Sequence, residues 1–148
     1  VVDRSDFLST VMSFAGTPYL HQGRVPGVGM DCPAPLIVGA WMHGLKPRSF
    51  DVTGYTTAAD GVTLRRLCDE HLEPIRFEDA QPADVLLTAW AREKMKPRHL
   101  GILLDANPER RYWLQAEGYR YKEVRRCRLM FGVDGMHLVQ AYRIPGVV

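Results

Sequence analysis

The spacing of apolar residues changes character near residue 74, and no other feature constrains the fold of this chain as much. Before that point apolar residues recur at helical spacing. After it they come in short runs separated by turn residues: PIRF, DVLLTAWA, HLGILLD, YWLQAE, YRYKEV and HLVQAYRI. Runs of this length bounded by turn signals read as strands. Three helices followed by five or six strands predict an α+β fold, with N-terminal helices packed on a mostly antiparallel sheet.

The first helix is predicted over residues 5–15, where positions 7, 8, 11, 12, 14 and 15 are apolar, with Asp3 or Ser5 as cap and Gly16 as stop. The second runs from Pro33 to His43 and is closed by Gly44. Pro33 and Pro35 would stand at its first and third positions, where neither removes an N–H that an intrahelical bond needs. The third covers 63–72. Residues 16–31 contain Gly16, Gly23, Gly27, Gly29, Pro18 and Pro26 and read as a loop rather than a helix or strand. Residues 45–62 read as a long surface loop and a candidate wall for a substrate site. AREKMKPR, between the second and third strands, reads as a charged hairpin connection.

A chain of 148 residues, 46% of them hydrophobic, can bury one sizeable core and is short for two ordinary domains, so residues 1–148 read as one domain. A net charge of +2 does not call for an acidic partner. No run reaches the 18 or more apolar residues of a membrane span, and VVDRSDFLSTVMSFAG lacks the basic start and apolar stretch of a secretory signal. Delivery outside a cell would then depend on another carrier.

Cys32, Cys68 and Cys127 are an odd number at wide spacing, which argues against a disulfide framework and a metal knuckle. Cys68, among Leu64, Leu67 and Leu72, reads as a buried helix-face residue. Cys127 lies among arginines with no base at useful spacing and reads as structural or incidental. Cys32 differs. It follows the loop HQGRVPGVGMD and precedes the apolar run APLIVGAW, which places a thiol at a helix start, where free N–H groups and the helix dipole favour the thiolate.

A cysteine nucleophile needs a base, and His99, opening HLGILLD at a sheet edge, is the candidate. The bland alternative is a structural or exposed histidine. Gln115, polar within WLQA, could accept a hydrogen bond from the second ring nitrogen of His99 if the two strands pair, or could simply be a polar residue on a wet strand face. His21 is close enough to Cys32 to line its cleft. His43 and His71 sit near helix ends, where the dipole accounts for them, while His137 opens the last strand much as His99 opens its own. No pair of histidines has the spacing of HExxH or a zinc knuckle, so a metal site is not expected, and hydrolysis by a cysteine and a histidine needs no cofactor.

Arg110, Arg111, Arg120, Lys122, Arg125, Arg126 and Arg128 interleave with Tyr112, Trp113, Tyr119 and Tyr121, a pattern that can also serve nucleic acid. Glu109, Glu117 and Glu123 dilute it, and paired strands commonly alternate charges with aromatics. Nucleic acid is therefore not the expected partner.

GTPYLHQGRVPGVGMDC (16–32), QPADVLL (81–87), HLGILL (99–104) and AYRIPGV (141–147) together resemble the NlpC-type papain-like cell-wall peptidases, in their phage-tail and gene-transfer-agent branch. The resemblance spans nearly the whole chain, and its first segment is the specific one. It implies a papain-like fold with Cys32 as nucleophile, His99 as base and Gln115 as the third polar group, where many relatives have histidine. It implies that Tyr19 helps shape the oxyanion site and that Asp31 braces the turn before the cysteine, with helix-start N–H groups stabilising the oxyanion. Members usually carry small residues after the cysteine, whereas this chain has Pro33, Ala34 and Pro35, and Pro33 has no N–H to offer.

The activity implied is that of a thiol endopeptidase cutting peptidoglycan stem peptides at a D-glutamyl-diamino acid bond. The implied setting is synthesis in the cytoplasm followed by incorporation into a phage-like tail or baseplate. The alternative is a tail-tip domain that keeps the fold for assembly and hydrolyses little or nothing.

Overall fold

The computed structural model describes residues 1–57, 60–94, 96–132 and 135–148. Residues 58 and 59 of the loop predicted over 45–62, and residue 95 of AREKMKPR, lie outside the described residues. Helix α1 spans Arg4–Met12, and its cap is Asp3, whose carboxylate accepts from the Ser5 N–H at 2.7 Å. Such a cap contributes about 1 kcal/mol. The helix stops three residues earlier than its apolar spacing suggests. The Ser13 hydroxyl bonds back to the Thr10 carbonyl at 2.5 Å, and the Ser13 N–H is shared between Ser9 and Thr10, which tightens the last turn.

The segment 16–31 is not wholly loop, as its glycines and prolines suggest. Strands β1 (Arg24–Val25) and β2 (Gly29–Met30) pair antiparallel, with Gly27 at φ +79° in the turn between them. The glycine makes the hairpin turn rather than excluding strands. Helix α2 spans Ala34–Met42, so Pro33 is its cap and Pro35 its second residue. Helix α3 spans Thr63–His71.

Six strands follow: β3 (Glu73–Ile75), β4 (Val85–Trp90), β5 (His99–Asp105), β6 (Tyr112–Ala116), β7 (Val124–Arg128) and β8 (Met136–Arg143). They form one sheet in the order β3-β8-β4-β5-β6-β7, every ladder antiparallel. The predicted strand YRYKEV is displaced. The Glu117 carboxylate accepts from the backbone N–H groups of Tyr119, Arg120 and Tyr121, and Lys122 stands at φ +59°, so this stretch is a turn and the strand starts at Val124. The resulting strand, VRRCR, is one edge of the sheet and has almost no apolar alternation to betray it.

Side chains alternate across the strands, and both faces of the sheet are covered. Val85, Leu87, Leu100, Ile102 and Leu114 meet Phe7, Val11 and Val38 of the helices in the main core. Leu86, Leu103, Trp113, Leu129 and Ala141 form a second cluster on the opposite face. Asp84, fully buried, joins the ends of the chain: it accepts from Arg4 at 3.0 Å and from Arg143 at 2.9 Å. No helix among the described residues is long and apolar enough to cross a membrane.

Candidate active site

Cys32 lies in the turn between β2 and α2, one residue outside the helix cap. The expectation that the helix start favours its thiolate does not hold. The Ala34 N–H is bonded to the Asp31 carbonyl at 3.1 Å, and Pro35 has no N–H, so the helix start has little left to direct at the sulfur. Burial and the neighbouring Asp31 carboxylate instead push the Cys32 thiol up to about 12, only partly offset by the Leu100 N–H. The resting group is a thiol.

That Leu100 N–H belongs to the residue after His99, so Cys32 abuts the start of β5. Nε2 of His99 is 2.5 Å from Oε1 of Gln115 on β6. An amide oxygen only accepts, so Nε2 carries the proton and Nδ1 keeps its lone pair. Burial holds His99 below its ordinary 6.5, the Gln115 bond working in the other direction, and the ring is neutral at rest. Trp113 meets it edge to face at 5.4 Å. Gly101 makes this approach possible, for a Cβ there would stand 2.4 Å from Cε3 of Trp113.

Gln115 is itself oriented. Its Nε2 donates to Sγ of Cys127 on β7 at 3.3 Å, which turns the oxygen toward His99. Cys127, read from sequence as structural or incidental, thus touches the group that contacts the imidazole and lines the same cleft. Nothing in the sequence pairs positions 115 and 127 until the shifted β7 is known.

Asp31 is 1% exposed and makes a dense set of contacts. Its carboxylate accepts from the Gln22 N–H at 2.7 Å, from Nη1 of Arg24 at 2.8 Å and from the Tyr55 hydroxyl at 2.5 Å. Arg24 also reaches the Tyr55 oxygen at 2.6 Å and Asp51 at 3.0 Å. The chain after α2 is thereby fastened to the turn that carries the cysteine. Tyr55 and Thr57 line the cleft, as a wall at 45–62 requires. Sequence reasoning missed Arg24 and Tyr55 because their partnership spans 31 residues.

Tyr19 and His21 also line the cleft, whose volume is about 1070 Å³. Burial and the adjacent Cys32 raise the Tyr19 phenol to about 12, so it remains a donor. Its ring packs on Gly118, where a Cβ would lie 2.9 Å from Cε1. His21 has Nδ1 4.0 Å from Asp31 and its ring nearly perpendicular to that of Tyr55. The other histidines stand apart from this lining. His43 is bonded to Thr10 at 2.8 Å, a specific contact between α1 and the end of α2 that the dipole explanation does not anticipate. His71 packs on Phe50, and His137 pairs with Ala89 in the sheet. Among the described residues no three His, Cys, Asp or Glu side chains converge closely enough to hold a metal ion.

The arrangement of helices on this sheet recurs in solved structures. The NlpC/p60 domain of the peptidoglycan hydrolase SagA matches with a TM-score of 0.64 at 17% identity, over 97% of this chain and 100% of that one. The chain has the NlpC/p60 fold. A Staphylococcus aureus protein described as similar to lipoprotein, of the NLP/P60 family, matches with a TM-score of 0.59 at 18% identity, over 94% of this chain and 41% of its own. Neither family sequence models nor curated protein sequences give a match. The NlpC/p60 architecture is therefore recognised through topology, at an identity where most side chains differ.

Proposed function

We propose that this chain is a single cysteine-peptidase domain that cuts peptidoglycan stem peptides at a D-glutamyl-diamino acid bond. The observation that carries the reading is the bond from His99 Nε2 to Gln115 Oε1, in a cleft also lined by Cys32. It leaves Nδ1 as the one basic ring nitrogen. The peptidoglycan substrate is suggested by the motif resemblance and by the SagA domain, which belongs to a peptidoglycan hydrolase.

In this mechanism thiol and imidazole start neutral. Sγ of Cys32 attacks the scissile carbonyl carbon while Nδ1 of His99 takes the thiol proton, and Gln115 stabilises the imidazolium formed. The Cys32 N–H and the Tyr19 hydroxyl are the donors for the oxyanion, since the helix start has few to spare. Collapse breaks the C–N bond, and His99 returns the proton to the departing amine. Water, deprotonated by His99, then attacks the thioester carbonyl, releasing the acid and restoring the thiol.

The motif resemblance to the phage-tail and gene-transfer-agent branch supports delivery by a phage-like tail or baseplate. The protonated thiol favours the second reading, a tail-tip domain with little hydrolysis. Incubating stem peptides with the wild-type protein and with Cys32→Ala, followed by mass spectrometry, separates the two. Cleavage at one bond that disappears in the variant supports the peptidase. Intact peptides from both folded proteins support the structural role.

A further inference from the structure

Beyond the candidate catalytic group, the same cleft has a wall of uncompensated cations. Arg120, Arg125, Arg126 and Arg128 are exposed and line it, and among the described residues none of them forms an ion pair. Arg125 is the best placed. It is the register partner of Gln115 across β6 and β7, so its side chain emerges on the face that carries Gln115. Its guanidinium lies 4.2 Å from the centre of the Tyr121 ring, and that of Arg120 lies 6.0 Å from the same ring. Two guanidinium groups thus stand beside one aromatic ring, and among the described residues no carboxylate pairs with their N–H edges.

Among the described residues, the acidic groups lining the cleft form no ion pair with these two arginines. Glu117 is bonded to three backbone N–H groups, Asp60 to the Thr63 hydroxyl and backbone, and Asp31 to Arg24. A planar carboxylate fits an arginine edge with two parallel hydrogen bonds. Single-stranded nucleic acid fits less well, because bases need open aromatic faces and here Arg125 covers Tyr121 and Arg126 covers Tyr112 at 3.9 Å.

Direction within the cleft follows from strand order. Cys32 abuts β5, and His99, Gln115 and Arg125 follow on β5, β6 and β7, leading away from the thiol. The histidine that returns a proton to the departing amine stands on the leaving side, and Arg125 lies further along it. Resting on the peptidase reading above, we infer that Arg125 and Arg120 form a subsite for a free carboxylate on the leaving fragment, so that this cleft discriminates carboxylate from carboxamide at that residue.

Titration calorimetry of the Cys32→Ala protein tests this without turnover. The probes are L-alanyl-γ-D-glutamyl-meso-diaminopimelate and the same tripeptide with both diaminopimelate carboxyls amidated. The expected result is binding at least about tenfold tighter for the free acid, as for loss of a charge-assisted hydrogen bond. A second substitution, Arg125→Gln, should bring the two peptides to equal affinity while the melting temperature stays unchanged. Equal affinities in the parent, a preference that survives Arg125→Gln, or no measurable binding of either peptide would overturn the subsite. So would tighter, steeply salt-dependent binding of a single-stranded oligonucleotide, which would make the wall a nucleic-acid groove. If carboxylate preference is found but wild-type protein cleaves neither peptide, the subsite stands and the peptidase reading falls. Cleavage of both peptides at equal rates gives the reverse.

Discussion

Gly101 and Trp113 sit so close across β5 and β6 that a methyl group on the glycine would stand 2.4 Å from the indole, and that indole is the wall against which the His99 ring rests. Gly101→Ala therefore has to displace Trp113 and tilt the imidazole. Overpacking of this kind costs about 1–3 kcal/mol. Urea unfolding should show that loss, and peptide cleavage by the folded fraction should fall at least about tenfold, since small misplacements of a base are costly. Cleavage at the wild-type rate would mean that Trp113 does not position His99.

The Gln115 bond favours the charged imidazole, and burial opposes it. Below its pKa the imidazole carries a proton and cannot act as base, so activity is lost as pH falls through that value. The acid limb of the wild-type profile should lie below 6.5. Gln115→Leu removes the contribution that raises the pKa, so the limb should move to still lower pH while the maximal rate drops. A shift to higher pH would contradict the assigned direction of the hydrogen bond.

Cys32, pushed up to about 12, is almost wholly protonated at pH 7.5. Iodoacetamide should label it much more slowly than it labels a free small-molecule thiol at the same pH, as followed by mass spectrometry of the 25–41 region. Labelling as fast as that of the small thiol would indicate a thiolate at rest.

Tyr55→Phe deletes one hydroxyl that bridges Asp31 and Arg24. The expected loss is about 1–3 kcal/mol. Limited proteolysis should then cut within 45–57 sooner than in the wild type. Unchanged cleavage kinetics there would show that Arg24 alone holds the segment.

Asp84→Ala leaves Arg4 and Arg143 without the buried carboxylate they share. Removing one side of a buried ion pair costs about 3–5 kcal/mol, an upper range here because both arginines are partly exposed. The midpoint in urea should fall accordingly, with the far-ultraviolet spectrum of the folded protein preserved.

Elements with a strong local pattern were legible before the structure. HLGILLD is a strand over its whole length, and all three predicted helices form, the first of them ending three residues early. The misses share a cause. VRRCR is a strand because the Glu117 side chain organises the preceding turn and β6 offers an edge, neither of which is a property of the five residues themselves. Arg24, Tyr55 and Cys127 matter through partners brought in by folding. Even Cys32 was legible in place but not in ionisation state, because the burial and the Asp31 carboxylate that favour the protonated thiol are set by the fold.

Strand β8 ends at residue 143 yet lies inside the sheet, between β3 and β4. During synthesis, β3 and β4 must wait for a neighbour made more than 40 residues later, each exposing an unpaired edge meanwhile. A ribosome stalled before residue 136 would hold a product in which β3 has no partner and β4 has an open edge, suited to chaperone capture or aggregation, and refolding from denaturant should be slow for so small a chain.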